Sequence, residues 1–281
     1  MKSRELGAPS PVWAERTAST RQAGTVAGFL RQSLALAEME LRKLRHDPTE
    51  LLTRIIQPVL WLGVFGEVFT RVRAIPTGQL PYLDFMAPGV LAQSVLFIAI
   101  FYGIAVIWER DLGIVHKLLV SPAPRVTLVL GKALSAGVRA LPQGCMVYLL
   151  ARLLGVKINW QAGALAGVAI AILLGAATFS TLSLIAACIV KTRERFMGIG
   201  QALTMPLFFA SNAVYPISIM PGWLKAFAHI NPLTYEVDAM RALMVDGGRS
   251  LYGIGPDFLV LVATTVALAG LASRLYPNLA R

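Results

Sequence analysis

Three stretches of this chain carry no Asp, Glu, Lys or Arg at all: residues 85–108, 162–190 and 196–224. A helix needs about 20 apolar residues to cross the hydrocarbon core of a bilayer, and each stretch meets that length. A fourth stretch, 133–151, is interrupted only by Arg139, and two shorter ones, 55–70 and 258–273, are flanked by Arg, Asp and Tyr that sit well at headgroups. The pattern predicts an all-α integral membrane protein with six transmembrane helices. The first is the weakest, because it contains Glu67 near its outer end, where exposure at the interface is the expected role. Composition agrees: 15% of residues are charged, against about a quarter in soluble domains.

No secretory leader is expected, since the first fifty residues are polar and lack an apolar core of the right length. With six spans, both termini then lie in the cytosol. On that orientation eighteen of the 26 lysines and arginines fall on the cytosolic side, in keeping with the positive-inside rule. The net charge of +11 reads as a topology signal and an attraction to anionic lipid. It does not read as nucleic-acid binding, because no basic–aromatic module accompanies it. Cys145 and Cys188 both fall inside predicted spans as small packing residues. His46, His116 and His229 are scattered, so no metal site is expected.

Along the chain, residues 1–23 read as a disordered cytosolic tail, rich in Ser, Thr, Pro, Ala and Arg. Residues 24–50 read as an amphipathic interfacial helix: Val26, Leu30, Leu34, Ala37, Leu41 and Leu44 form one stripe, and Pro48 ends it. A soluble helix packed on a partner subunit is the alternative. Residues 51–281 form the six-span domain. Between the second and third spans lies a polar interruption longer than a turn requires. It runs Glu109, Arg110, Asp111, Leu112, Gly113, then Lys117, Leu118, Leu119, Val120, Ser121 and Pro122. Leu112, Val115, Leu118 and Leu119 share one face of a helix there, which suits docking at the membrane surface. After the fifth span, the segment from Tyr215 through Pro216, Pro221 and Trp223 to Asn231-Pro232 is too apolar for a solvated loop and too rich in proline for one helix. It reads as two short external re-entrant helices, since non-helical backbone at membrane depth must be buried or line a cavity. Asn231 followed by Pro232 is a good N-cap and first-turn pair.

Two of these segments carry a resemblance. Glu109-Arg110-Asp111-Leu112-Gly113, then Leu118-Leu119-Val120-Ser121-Pro122 and Gly131-Lys132, is similar to the E-R-E-x-G-T, L-x-x-S-P and G-K signature of ABC-2 type export permeases. Asn231-Pro232-Leu233-Thr234-Tyr235 with Asp238 and Arg241 is similar to the N-P-L-T-Y-x-x-D-x-x-R motif of the same family, the drug-resistance and nodulation-factor branch being nearest. Asp111 replaces the usual Glu and Ile114 the usual Thr. The resemblance covers residues 25–281.

The resemblance implies a permease subunit of an ATP-driven exporter in a bacterial cytoplasmic (inner) membrane, working as a dimer, with a second copy of itself expected. Two separate cytosolic ATPase subunits would bind below it and carry MgATP. This chain itself needs no cofactor: it has no G-x-x-x-x-G-K-[ST] loop, its one Gly-Lys pair being followed by Ala133 and preceded by Val126 where the first Gly should stand. Glu109, Arg110, Asp111, Gly113, Lys117, Leu118, Ser121 and Pro122 would form the coupling helix seated in the ATPase. Glu109 and Arg110 are its candidate ion-pair formers and Gly113 allows close approach. Pro216, Asn231, Pro232, Tyr235, Glu236, Asp238 and Arg241 would form the outer gate, held by local pairs among the last three charges.

Arg139 and the polar face of the fifth span (Gln201, Thr204, Ser211, Asn212) are candidates to line the pathway. For Arg139 the alternatives are steadying an anionic headgroup or a structural ion pair; for the polar face, helix–helix packing. The cargo would be amphipathic: a drug, lipid, glycolipid or lipid-linked saccharide. An ion-coupled secondary transporter is the alternative, but it wants paired carboxylates within the spans, where only Glu67 is offered. An intramembrane enzyme would want a catalytic constellation, and none is visible.

Overall fold

The computed structural model describes residues 48–72, 75–78, 80–113, 125–190 and 192–280. The tail at 1–23, nearly all of the interfacial helix at 24–50, and Lys117, Leu118, Ser121 and Pro122 lie outside the described residues. Within them the chain is helical, with a lone antiparallel bridge between Ile158 and Val245.

Helix α1 (Pro48–Val59) passes through a π-helical stretch (Leu60–Gly66) into α2 (Glu67–Val72). The irregularity follows Pro58, which has no N–H to offer the carbonyl of Arg54 one turn earlier. That carbonyl instead accepts from Gln143 Nε2 at 3.3 Å. Where no water is at hand, a freed backbone acceptor is satisfied from a neighbouring helix.

The remaining elements are α3 (Tyr82–Asp111), α4 (Arg125–Leu153), α5 (Ala162–Ile189), α6 (Arg193–Phe209), a 3-10 turn (Ile217–Ile219), α7 (Gly222–Ile230), α8 (Pro232–Met244), α9 (Ile254–Leu275) and a closing 3-10 turn (Tyr276–Ala280). Among the described residues, four helical stretches are long and apolar enough to cross a membrane: Arg54–Val72, α3, α5 and α9. Of the other two expected spans, 133–151 lies within α4, a continuous helix that runs through both Arg139 and Pro142. The stretch 196–224 is not one helix. Its helix stops at Phe209, after 17 residues, about 25 Å at 1.5 Å per residue. The break has local causes. Ser211 Oγ donates to the Phe208 carbonyl at 2.7 Å and Tyr215 Oη to that of Phe209 at 2.5 Å, while Pro216 and Pro221 prevent the helix from restarting until Gly222.

The helices run back and forth between two ends. Helix α3 begins where Phe85 meets Arg241 and finishes at Asp111 beside Arg193. Helix α4 returns, and the loop after it pairs with the end of α8: Asn159 N–H donates to Met244 and Asp246 N–H to Lys157, at 2.9 and 2.8 Å. Helices α3 and α5 form the centre, and residues 82–96 are buried without interruption. Helices α1, α2 and α9 flank it, with Leu60, Val64, Phe65, Leu259, Val262 and Val266 exposed. Apolar side chains pointing outward suit a lipid-facing surface. Trp61 stacks edge-on against Phe208, holding the first pass on α6.

Candidate functional site

The two motifs occupy opposite ends of the bundle, and each organises a cluster of charges.

At the first end, Glu109 forms an ion pair with Lys132 of α4. Asp111 accepts from Arg110 at 3.1 Å and from Arg193 of α6 at 2.7 Å. The Arg193 guanidinium lies 3.5 Å over the Trp108 ring, a cation–π contact that holds it flat against α3. Three helices are thus fastened at one corner: the end of α3, α4 two turns from its start, and the start of α6. Thr192 caps α6 by accepting from Arg195 N–H. Gly113 ends α3 with φ +71°, a left-handed conformation that glycine adopts without steric cost. The Glu109 and Asp111 carboxylates therefore spend contacts inside the chain. Their partners Lys132 and Arg193 were not among the expected site residues, although Lys132 belongs to the quoted Gly-Lys pair and Arg193 to a basic cluster.

At the second end, α8 carries the other motif. Asn231 caps it as expected, its Oδ1 accepting from Leu233 N–H at 3.0 Å; its Nδ2 donates to the carbonyls of Leu207 and Ala210 at the end of α6, at 2.6 and 3.2 Å. One side chain thus starts α8 and finishes α6. Tyr235 Oη donates to the His229 carbonyl at 2.7 Å and ties α8 to α7.

Asp238 is buried and saturated with donors. Its Oδ1 accepts from Asn212 Nδ2 at 3.1 Å, and its Oδ2 from Ser250 Oγ, Leu251 N–H and Tyr252 N–H at 3.0, 2.5 and 3.3 Å. Arg241, one turn on, pairs with Asp238 at 3.6 Å and donates to the carbonyls of Asn212 and Phe85 at 2.6 and 3.3 Å, its guanidinium 3.9 Å over the Phe85 ring. Ser250 Oγ also lies 2.7 Å from Asp257 Oδ2, so its single proton is shared between the two carboxylates and the start of α9 joins the cluster. Tyr252, in the loop before α9, meets His229 Nδ1 at 2.8 Å; burial pushes its hydroxyl up to about 12, so it stays protonated. A cavity of about 460 Å³ opens beside this cluster, lined by Asp238, Arg241, Asn212, Pro216, Arg249 and Ser250 among others.

Glu236 faces the other way. It is fully buried against α5, above Gly175, where a Cβ would run into its carboxylate. Of the expected local pairs, Asp238–Arg241 forms, and Glu236 takes no part in it.

The expected pathway residues do not gather on one surface. Asn212 joins the Arg241 cluster. Thr204 and Ser211 are buried and donate to carbonyls within their own turn, Gly200 and Phe208. Gln201 is exposed. Arg139 is half-buried, with its guanidinium 5.1 Å over the Tyr102 ring.

Among the described residues, a helical bundle with apolar outward faces, four stretches long and apolar enough to cross a bilayer and its two charge clusters at opposite ends marks a multi-pass membrane protein. The sequence profile of the ABC-2 type transporter family matches residues 31–245, and the chain belongs to that family. It is 28% identical over 219 residues to a putative transport permease of Cyanophora paradoxa (76% of this chain, 74% of that protein). It is 24% identical over 234 residues to a daunorubicin resistance ABC transporter permease protein of Streptomyces coeruleorubidus (83% and 82%). Over 192 residues it is 27% identical to nodulation protein J of Sinorhizobium fredii (66% and 70%).

Proposed function

We propose that this chain is the membrane subunit of an ATP-driven exporter in a bacterial inner membrane, crossing it six times with both termini in the cytosol. It moves an amphipathic cargo outward as a homodimer on two ATPase subunits, which carry the MgATP. Family membership supports the ATPase partnership, and the daunorubicin resistance relative supports an amphipathic cargo.

The observation that carries the mechanism is the charged corner at residues 109–113. It belongs to the candidate coupling segment, residues 109–122, of which 109–113 are described. Force applied there reaches α3 directly, α4 through Lys132–Glu109 and α6 through Arg193–Asp111. Rigid helices fastened at one end move as a unit. At the far end, α6 pulls on Asn231 and Asn212, and through them on α8 and its Asp238–Arg241 cluster. Pro216, Asn231, Pro232, Tyr235, Glu236, Asp238 and Arg241 then act as the outer gate.

The test is co-purification of the nanodisc-embedded chain with its cognate ATPase, followed by ATP hydrolysis. Wild type assembles and hydrolyses ATP, Leu118→Pro does not assemble, and Lys132→Glu uncouples in a way that Glu109→Lys restores. Absence of any ATPase association in the wild type would refute the reading.

A further inference from the structure

A second cavity, of about 320 Å³, lies away from both motif clusters, where α1, α3 and α4 meet. Every charged side chain among the described residues of its wall is cationic: Arg54 from α1 and Arg139 from α4. The opposite wall is aromatic, with Phe97, Phe101 and Tyr102 from α3. Phe97 and Phe101 stack with ring centroids 5.9 Å apart, and Tyr102 lies beneath the Arg139 guanidinium.

The depth of this cavity follows from the helix register. Lys132 of α4 pairs with Glu109 of α3, so these two residues are level. Arg139 is seven residues beyond Lys132, and Tyr102 seven residues before Glu109. On antiparallel helices both lie two turns, about 10 Å, inward from the charged corner. Arg54 sits on the far side of that level, since its carbonyl meets Gln143 one turn past Arg139. Helical side chains lean toward the N-terminus of their own helix. That direction brings the Arg54 guanidinium back to the cavity it lines.

Ionisable residues at such depth usually face the protein interior or a water-filled cavity and mark a pathway or a site. Both arginines already interact within the fold, and each guanidinium offers five donors in a planar fork. A phosphate or carboxylate suits two such forks. Stacked rings beside it suit an apolar tail.

We propose that this cavity binds the anionic head of an amphiphile, with Arg54 and Arg139 on the head and the Phe97–Phe101–Tyr102 wall against the adjoining apolar part. This deepens the transport reading, on which it rests: it places cargo capture on the side of the bundle nearest the coupling segment and gives the cargo a negative charge.

The experiment uses the full chain purified in detergent micelles, without an ATPase, and fluorescence anisotropy of an acyl-labelled phosphatidic acid. A phosphatidylcholine with the same labelled tail is the comparison. Wild type binds phosphatidic acid at least about tenfold more tightly, as charge-assisted hydrogen bonds predict. Arg54→Gln and Arg139→Gln each abolish most of that preference, and Arg139→Lys keeps part of it. Thermal unfolding confirms that each variant is folded, and Arg54→Gln carries the test if Arg139→Gln is not. Equal affinity for both lipids, or a preference that survives both substitutions, overturns the proposal. So does complete displacement of the probe by millimolar inorganic phosphate, which marks a site for the free anion. No arm requires an ATPase. Failure here leaves the coupling reading intact, and failure of ATPase association leaves this result intact.

Discussion

Asp238→Asn changes one atom and no volume, yet its effect follows from the donors around that side chain. Oδ2 of Asp238 accepts from one hydroxyl and two backbone N–H groups, while Oδ1 faces Asn212 Nδ2 and Arg241. An asparagine must place its amino group at one of these positions. On the Oδ2 side it confronts Leu251 N–H and Tyr252 N–H; on the Oδ1 side it confronts Asn212 Nδ2 and the guanidinium. Either rotamer sets donor against donor, and Arg241, only 5% exposed, loses its counter-charge. Breaking a buried pair from one side costs about 3–5 kcal/mol, and in a chain of this size each kcal/mol is worth about 2–4 °C in Tm. The expected result is a Tm about 10 °C below wild type in detergent, read by intrinsic fluorescence. Asn212→Ala removes one donor and leaves the pair, so its loss should be smaller. A Tm for Asp238→Asn within about 2 °C of wild type would refute the view that this cluster fastens α8 to α6 and α9.

Gly175→Ala should be destabilising by about 1–3 kcal/mol through overpacking on Glu236. In a Glu236→Ala background the same change should cost less, so a double-mutant cycle of Tm values that is additive contradicts the contact. Gln143→Leu should cost about 1–3 kcal/mol by leaving the Arg54 carbonyl without its donor. In a Pro58→Ala background, where the backbone N–H returns, the loss should shrink; equal loss in both backgrounds argues against the compensation.

The membrane class was legible because lipid leaves little choice. Runs such as 85–108 and 162–190 have length, apolarity and no charge, and they form α3 and α5. The Asn231-Pro232 start of α8 was legible for a similar reason. An Asn that accepts from the second residue after it, followed by a proline that needs no acceptor, is a local device complete within three residues. The break within 196–224 was legible only in part. Its prolines were visible, but α6 ends where Ser211, Tyr215 and Asn231 take its last carbonyls, and all three lie beyond the helix itself.

What the sequence determined, then, was the solvent of this protein, the positions of its principal helices and its family motifs, all of which rest on local pattern. The tertiary structure alone decided which charges meet. Nothing in the spacing of Asp111 and Arg193 or Glu109 and Lys132 announces a meeting, nor does that of Arg54 and Arg139 announce a shared cavity, because each pair is brought together by helices packing side by side. Glu236 and Asp238 stand two residues apart on one short helix. Helical geometry turns them to different faces, one into Gly175 and the other into donors drawn from two other segments and from Arg241 of its own helix. The opposite facing follows from two residues of helix; what each face meets is set by the segments that pack against α8, and the sequence pattern does not contain that.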